Sequence, residues 1–351
     1  MDHLLGDAAE RLFALHYTPA VVRAVERGQS AQTAWQACHD AGFLDALVAE
    51  ADGGAGLQLG DILPVIHAAG RHAVPAPLAD TVLARAWLRA GGHAPPDGPI
   101  ALAPFGLSSQ DDRLTLSAAP WGRVAQWMLA ADARGIHLLP VDQASVIPTG
   151  GQGSLSADLS WPTGAGSVVS AAPSQSAISP NTVDGGGLPG LPELAALAYT
   201  GLISGAMERI LELTLDYANQ RTQFGKPIGR FQAVQQQLSI LVEQIWATRM
   251  AAQLAFQSDS WAPSPLLAAV GKARASAAAV MVADIAHAVH GAIGVTEEYD
   301  LQLYTRRLRE WRRAAGAESY WSARIGQDAL RTDSAASALD YVRTLLSTPA
   351  R

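Results

Sequence analysis

Cysteine is almost absent from these 351 residues: Cys38 stands alone. That excludes an internal disulfide and fits a reducing compartment, so a cytoplasmic protein is expected. Charge is scarce as well, at 16% Asp, Glu, Lys and Arg, and the net charge of -7 argues against nucleic acid or an anionic membrane as the main partner. The start, Met1-Asp-His-Leu-Leu-Gly-Asp7, is acidic where a secretory signal would be basic, and no apolar block with a cleavage site follows, so no secretion is expected. The longest uncharged apolar-rich run, Leu194 to Met207, is too short to span a bilayer. Metal ligands at a recognised spacing are missing too. His287 and His290 lie three apart, but no carboxylate or cysteine completes a set, and packing or loop hydrogen bonding is the better reading. What the chain has in abundance is alanine, which favours helices packed through small side chains and large contacts between subunits.

Residues 1–94 read as a helical domain with helices at Ala8–Leu15, Ala20–Arg27, Ala31–Gly42, Leu59–Gly70 and Ala79–Ala90, separated by Gly and Pro breaks. Gly53-Gly-Ala-Gly-Leu-Gln-Leu-Gly60 looks superficially like a nucleotide fingerprint, but no strand precedes it and the spacing is wrong, so it reads as a turn. Residues 95–190 read as a small β domain, with short apolar runs at Ile100–Phe105, Leu114–Ser117, Val124–Ala131 and Ile136–Val141. Residues 148–192 are rich in Gly, Ser and Pro and fit either edge strands with long loops or a partly disordered linker. Residues 191–351 return to long helical periods at Leu194–Asn219, Phe231–Gln257, Pro265–His290, Glu298–Arg313 and Glu318–Leu346. The fold class expected is mainly α with a small β domain.

One stretch carries the most information: Arg221-Thr-Gln-Phe-Gly-Lys-Pro-Ile-Gly-Arg-Phe-Gln232. Ile203, Met207, Ile210, Leu213 and Tyr217 recur at helical spacing before it, Gly225 and Pro227 stop the helix, and a second helix follows, so the segment is a helical hairpin loop. Arg221 offers a planar donor array suited to a pyrophosphate, Gln223 can pair with phosphate or ribose oxygens, and Phe224 can stack on a purine. The plainer reading is a capped hairpin with Arg221 placed for the helix dipole.

The stretch resembles the signature of the acyl-CoA dehydrogenase family, whose hairpin loop binds the adenine and pyrophosphate end of FAD on a neighbouring subunit. His290-Gly-Ala-Ile-Gly-Val-Thr-Glu-Glu-Tyr-Asp-Leu301 is similar to the family's glycine-rich loop, and Ala41-Gly-Phe-Leu44 and Asp52-Gly-Gly-Ala-Gly-Leu57 are similar to its N-terminal helical domain. The resemblance implies the family's architecture: an N-terminal helical domain, a middle β domain and a C-terminal four-helix bundle. It implies Arg221, Gln223, Phe224, Gln232, Gly291 and Gly294 as FAD contacts at a subunit interface, with Ala288 standing where a glutamine is usual. It also implies an acyl-CoA substrate oxidised to 2,3-enoyl-CoA, with electrons passed to an electron-transfer flavoprotein.

The chemistry needs a carboxylate to take the α proton, and here the chain departs from the family. Counting from the glycine loop puts Ala315 at the usual base position, followed by Gly316 and Ala317, and the other known position falls on Ala195. Glu193 and Glu318 lie two and three residues away and are the fallback bases, although each also suits the first turn of a helix. The middle-domain segment that faces the flavin ring in the family is reduced to a trace near Ala103-Pro-Phe-Gly-Leu-Ser-Ser-Gln110. Arg306, Arg307, Arg309, Arg312 and Arg313 make a dense basic helix, expected to be a solvated or subunit-bridging face, with CoA or FAD phosphates as a further possibility.

These losses resemble the β-type, non-catalytic subunits of bacterial heteromeric acyl-CoA dehydrogenases that act on steroid or other bulky acyl groups. The expected partner is a second, α-type subunit. The alternatives are a self-sufficient homotetramer using Glu193 or Glu318, a flavin-free assembly scaffold, and a relative of the flavin monooxygenases or nitroalkane oxidases.

Overall fold

The computed structural model describes residues 2–110, 112–171 and 188–331, together with positions 337, 340, 341 and 343. Glycines 185–187 and most of the expected helix beyond residue 331 lie outside the described residues.

Five helices open the chain: α1 (Asp2–His16), α2 (Pro19–Glu26), α3 (Gln32–Asp40), α4 (Leu59–Arg71) and α5 (Leu78–Ala90). Their starts follow local chemistry. Thr18 accepts the Val21 N–H ahead of Pro19 in the first turn of α2, and the Asp61 carboxylate accepts the Gln58 N–H to box the start of α4. Phe13, Tyr17, Phe43, Leu59, Ile62 and Ile66 bury their side chains between these helices.

Two four-stranded sheets follow, built from β1 (Ile100–Ala103), β2 (Leu107–Gln110), β3 (Arg113–Ala119), β4 (Trp127–Ala131), β5 (Gly135–Pro140), β6 (Ser145–Pro148), β7 (Ala157–Pro162) and β8 (Ser167–Ala171). One has the order β1-β4-β5-β8, with β1 parallel to β4 and the other pairs antiparallel; the second, β2-β3-β7-β6, is antiparallel throughout. Among its described residues the Gly-rich stretch therefore holds two strands, β7 and β8. β8 is an edge strand, but β7 sits inside its sheet between β3 and β6.

The C-terminal part is a bundle of α6 (Leu191–Gln220), α7 (Gln232–Ala255), α8 (Pro265–His290), α9 (Leu301–Arg313) and α10 (Glu318–Arg331), with a short ribbon, β9 (Thr222–Gln223) and β10 (Lys226–Pro227), between α6 and α7. Helix α9 begins three residues later than the periodicity suggests, because Gly291–Val295 form a tight 3-10 turn first. Helix α6 is the centre of the molecule: Leu194 through Met207 are buried on every side, against α4, α5, α8 and α9. Each large apolar side chain buried there contributes roughly 1.5–3 kcal/mol, which fixes the helix in register. A Cβ at Gly205 would lie 1.9 Å from the His67 carbonyl oxygen, so α4 and α6 cross at backbone contact. By length and composition α6 could cross a membrane, yet its apolar surface is covered by the rest of the chain.

Candidate functional site

Arg221 caps the C-terminus of α6, its N–H donating to the Tyr217 carbonyl at 2.8 Å, and its own carbonyl accepts the Ile228 N–H at 2.8 Å. Between them the ribbon pairs Gln223 with Lys226 across a two-residue turn in which Phe224 (φ 50°) and Gly225 (φ 78°) are both left-handed. This geometry lifts Phe224 into solvent at 92% exposure, edge-on to Phe231 at 6.2 Å. The Lys226 ammonium sits 4.3 Å above the Phe231 ring and stiffens the base of the loop. Arg221, Gln223 and Gln232 are exposed as well, and none of the three side chains makes a hydrogen bond or ion pair with another described residue.

The glycine-rich loop is brought to the same end of the bundle. His290, the last residue of α8, is buried and stacks on Tyr217 of α6 at 4.5 Å, with Tyr299 tilted against both rings, 5.0 Å from His290 and 6.0 Å from Tyr217. Its Nδ1–H donates to the Ala286 carbonyl at 2.8 Å, and burial pulls its pKa below the usual histidine range. This stack fixes Gly291 one aromatic layer from the helix that ends in Arg221. Gly291 has φ 65°, and no atom lies within 4 Å of where a Cβ would stand, so its backbone is open to a ligand; Gly294 is packed beneath it against His290. His287 is held by Thr305, with Nε2 2.9 Å from Oγ1, and no group of His, Cys, Asp and Glu among the described residues could hold a metal.

The turn between α9 and α10, where a base is expected by counting, is closed. Ala315 is 7% exposed and adopts φ 55°; its carbonyl accepts the Trp321 indole N–H at 2.9 Å. Lys272 of α8 lies beneath it, fully buried, with Nζ donating to Ser276 Oγ (2.7 Å) and to the carbonyls of Arg312 (2.9 Å), Trp311 (3.0 Å) and Gly316 (3.1 Å). Burial pushes its pKa down to about 7, against the pull of Glu318. Those oxygens occupy every proton of an ammonium, so Lys272 is a brace for the turn and offers no free base.

Glu318 opens α10 and is clamped by the Arg312 guanidinium, chiefly through a hydrogen bond that holds its pKa below the carboxylate norm. Glu193 is different. It sits in the first turn of α6 but is buried at 5% exposure, and desolvation raises its pKa while Arg324 of α10, 3.1 Å away, opposes the rise. Ala195 is fully buried. Neither alanine offers a proton acceptor.

The middle domain rests directly on this closed turn. Phe105, in the segment between β1 and β2, packs edge-on against Tyr320 of α10 at 5.3 Å. Trp121, just after β3, lies 6.2 Å from Trp311 of α9 and 5.9 Å from the Arg307 guanidinium. Beside Trp121 are two buried polar groups, Asp80 of α5 and Tyr199 of α6; burial raises the pKa of both, opposed at Asp80 chiefly by the Leu102 N–H. The burial pattern of α5 gives Asp80 away in retrospect, as one carboxylate inside a wholly buried stretch from Leu78 to Leu88. Nothing local in the sequence marks Trp121.

The arginine-rich helix is a solvated face only in part, at Arg309 and Arg313. Arg307 is buried and, with Arg306, clamps Glu26 of α2 at 2.9 and 2.8 Å, while Arg123 donates to the Glu26 and Ser154 carbonyls. For Arg306 and Arg307 the solvated reading fails because the counter-charge lies some 280 residues away in sequence. Arg309 does stand in solvent, beside Asp284. A cavity of about 580 Å³ lies between α3 and the start of the middle domain, lined by Trp35, Gln36, Gln126 and Arg123 among others, but no unpartnered buried polar atom faces it.

Comparison with known proteins agrees with this architecture. The family model described as acyl-CoA dehydrogenase, C-terminal domain, matches residues 195–330. Acyl-CoA dehydrogenase IpdE2 of Mycobacterium tuberculosis is 30% identical over 321 residues, covering 87% of this chain and 89% of that protein. One chain of the ChsE4-ChsE5 complex from Mycobacterium tuberculosis superposes with a TM-score of 0.79 at 23% identity, covering 94% of this chain and 97% of that one. A chain of the Tcur3481-Tcur3483 steroid ACAD gives 0.78 at 25% identity, covering 93% and 97%. The chain belongs to the acyl-CoA dehydrogenase family, the FAD-dependent oxidoreductases that act on acyl-CoA.

Proposed function

We propose that this chain is the non-catalytic, β-type subunit of a heteromeric acyl-CoA dehydrogenase whose partner, a chain of the same fold, carries the base and the flavin-ring contacts. The observation that carries this is that Arg221, Gln223, Phe224 and Gln232 stand in solvent beside an open Gly291 while Ala315 and Ala195 provide no proton acceptor. The exposed set fits the adenine and pyrophosphate end of FAD: a planar guanidinium for paired phosphate oxygens, an amide, a ring face and an approachable backbone. The junction under the middle domain is a poor fit for the flavin ring, since Trp121, 3% exposed against Trp311, takes up its inner side and Phe105, 43% exposed against Tyr320, stands at its rim. Bound FAD would supply the hydride acceptor, and this chain's residues would anchor its far end without touching the reacting atoms.

A second chain is favoured over a second copy because two copies would offer their loops to closed junctions. The outer face of α7 and α8 suits such a contact, exposing Ile240, Trp246, Met250, Val280 and Met281. The substrate class is an acyl-CoA with a steroid or comparably bulky acyl group, in keeping with the two-chain relatives, one of which is described as a steroid ACAD. An electron-transfer flavoprotein is the proposed acceptor.

Purifying the chain alone and with a candidate α-type chain, then measuring FAD per chain and flavin reduction by acyl-CoA, tests the assignment. FAD and activity only in the pair are expected; stoichiometric FAD and full activity in the chain alone would overturn it. A self-sufficient enzyme is the second reading, favoured by the buried Glu193, whose pKa desolvation raises. It requires Glu193→Gln to abolish flavin reduction while FAD stays bound.

A further inference from the structure

Two aromatic contacts join the middle domain to the bundle, and both meet the helices that flank Ala315. Phe105 meets Tyr320, five residues after Ala315; Trp121 meets Trp311, four residues before it. Register pairs Leu107 with Leu116, so Phe105 and Trp121 project from the same end of the β2–β3 hairpin. Trp121 is held there against its own backbone preference. It adopts φ 60°, a left-handed conformation that a bulky side chain adopts only when its surroundings impose it, and it is 3% exposed. The surroundings come from all parts of the chain: Asp80 of α5, Tyr199 of α6, Arg307 and Trp311 of α9. Asp80 also accepts the Leu102 N–H at 3.2 Å, which ties β1 to the same point.

We propose that Trp121, with the half-exposed Phe105 leaning on Tyr320 at its rim, forms a built-in plug that occupies the space a flavin ring would need and holds the middle domain onto the Ala315 turn without any cofactor. The plug rests on the proposed subunit role only for where a flavin ring would lie. Its consequence is specific: this chain's middle domain is docked in the absence of flavin, and its own ring site stays shut even when flavin is abundant.

Lumiflavin, a flavin ring without the ribityl and adenine parts, tests the plug separately from the Arg221 loop. The full-length chain is titrated with lumiflavin by fluorescence quenching, and backbone protection over residues 100–121 and 301–321 is followed by hydrogen exchange. The wild-type chain should show no saturable quenching and full protection. The variant Phe105→Ala with Trp121→Gly, in which glycine accepts the left-handed backbone without strain, should lose protection in both segments and bind the ring at least about tenfold more tightly than wild type. The milder pair Phe105→Leu and Trp121→Phe should fold and give intermediate values. Saturable binding by the wild-type chain overturns the plug, as does unchanged protection and binding in both variants. A pair of chains that takes up FAD through Arg221 while the plug variants behave as wild type would leave the subunit assignment standing and remove only the plug.

Discussion

The two ends of this molecule's C-terminal bundle are built on opposite plans, and one pair of residues shows it. Phe224 and Trp121 are both aromatic residues at left-handed φ, 50° and 60°. Trp121 is enclosed by two helices of the bundle, a helix of the N-terminal domain and an arginine, so its strain is offset by packing within the chain. Phe224 is 92% exposed and gains one edge contact. A strained residue that its own fold rewards belongs to the fold. One that its fold leaves uncompensated belongs to something the chain meets, and Arg221, Gln223 and Gln232 around it are likewise unpaired.

Lys272 is where the closed side can be broken hardest. Lys272→Met leaves the carbonyls of Trp311 and Gly316 buried without a donor and that of Arg312 with the Ser276 hydroxyl alone. It should cost about 3–5 kcal/mol in urea unfolding, as expected when a buried charged partner is removed from its hydrogen bonds. A cost under about 1 kcal/mol would mean that the Ala315 turn needs no brace. The open side should answer in the reverse way. Arg221→Ala should change the stability of the isolated chain by less than about 0.5 kcal/mol. In the proposed complex it should weaken FAD about 10–100-fold, roughly 1.4–2.8 kcal/mol, by equilibrium dialysis.

Asp80 sharpens the contrast through pH. Burial raises its pKa from the ordinary 3.8 to about 7. The folded chain therefore holds a proton that the unfolded chain releases between about pH 4 and 7, so folding stability falls as pH rises through that window and stays low above it. Asp80→Asn removes this slope and should leave the variant about 1–2 kcal/mol more stable than wild type at pH 8, with little difference at pH 4. Wild-type stability that instead climbed from pH 4 to 7 with a slope absent in Asp80→Asn would show an ionised, well-paired carboxylate, and a junction less closed than its geometry implies.

The open end was far more legible in the sequence than the closed one. Helical periodicity, the Gly225 and Pro227 stops and the spacing of Arg221, Gln223 and Phe224 are local signals, and local signals survive in one dimension. Helix α8 was legible to the residue, Pro265 to His290, because Pro begins it and Gly291 ends it. The closed junction depends on residues far apart in sequence: Asp80, Tyr199 and Trp311 come from three helices and Trp121 from the turn after β3. Likewise Arg306 and Arg307 looked like a surface patch because Glu26, which neutralises them, lies in α2. Strands β2 and β6–β8 were obscured for another reason. They are short, Ser-rich or Pro-bounded, and their pairing rather than their composition makes them strands.

The smallest expected effect discriminates most finely, because it predicts opposite signs for the chain alone and the chain at work. Phe224→Gly removes a ring that touches little and frees a left-handed backbone position from its Cβ. Glycine is at ease there, so the isolated chain should gain about 0.5–1 kcal/mol, partly reduced by the greater freedom of glycine in the unfolded state. A urea midpoint that rises without a change in slope would register the gain. In the proposed complex the same variant should weaken FAD several-fold, because the purine loses a stacking surface worth about 1 kcal/mol. A loss of stability in the isolated chain would mean that the ring serves this fold after all. Only the pairing of a more stable chain with a weaker cofactor site identifies Phe224 as a residue kept for a neighbour.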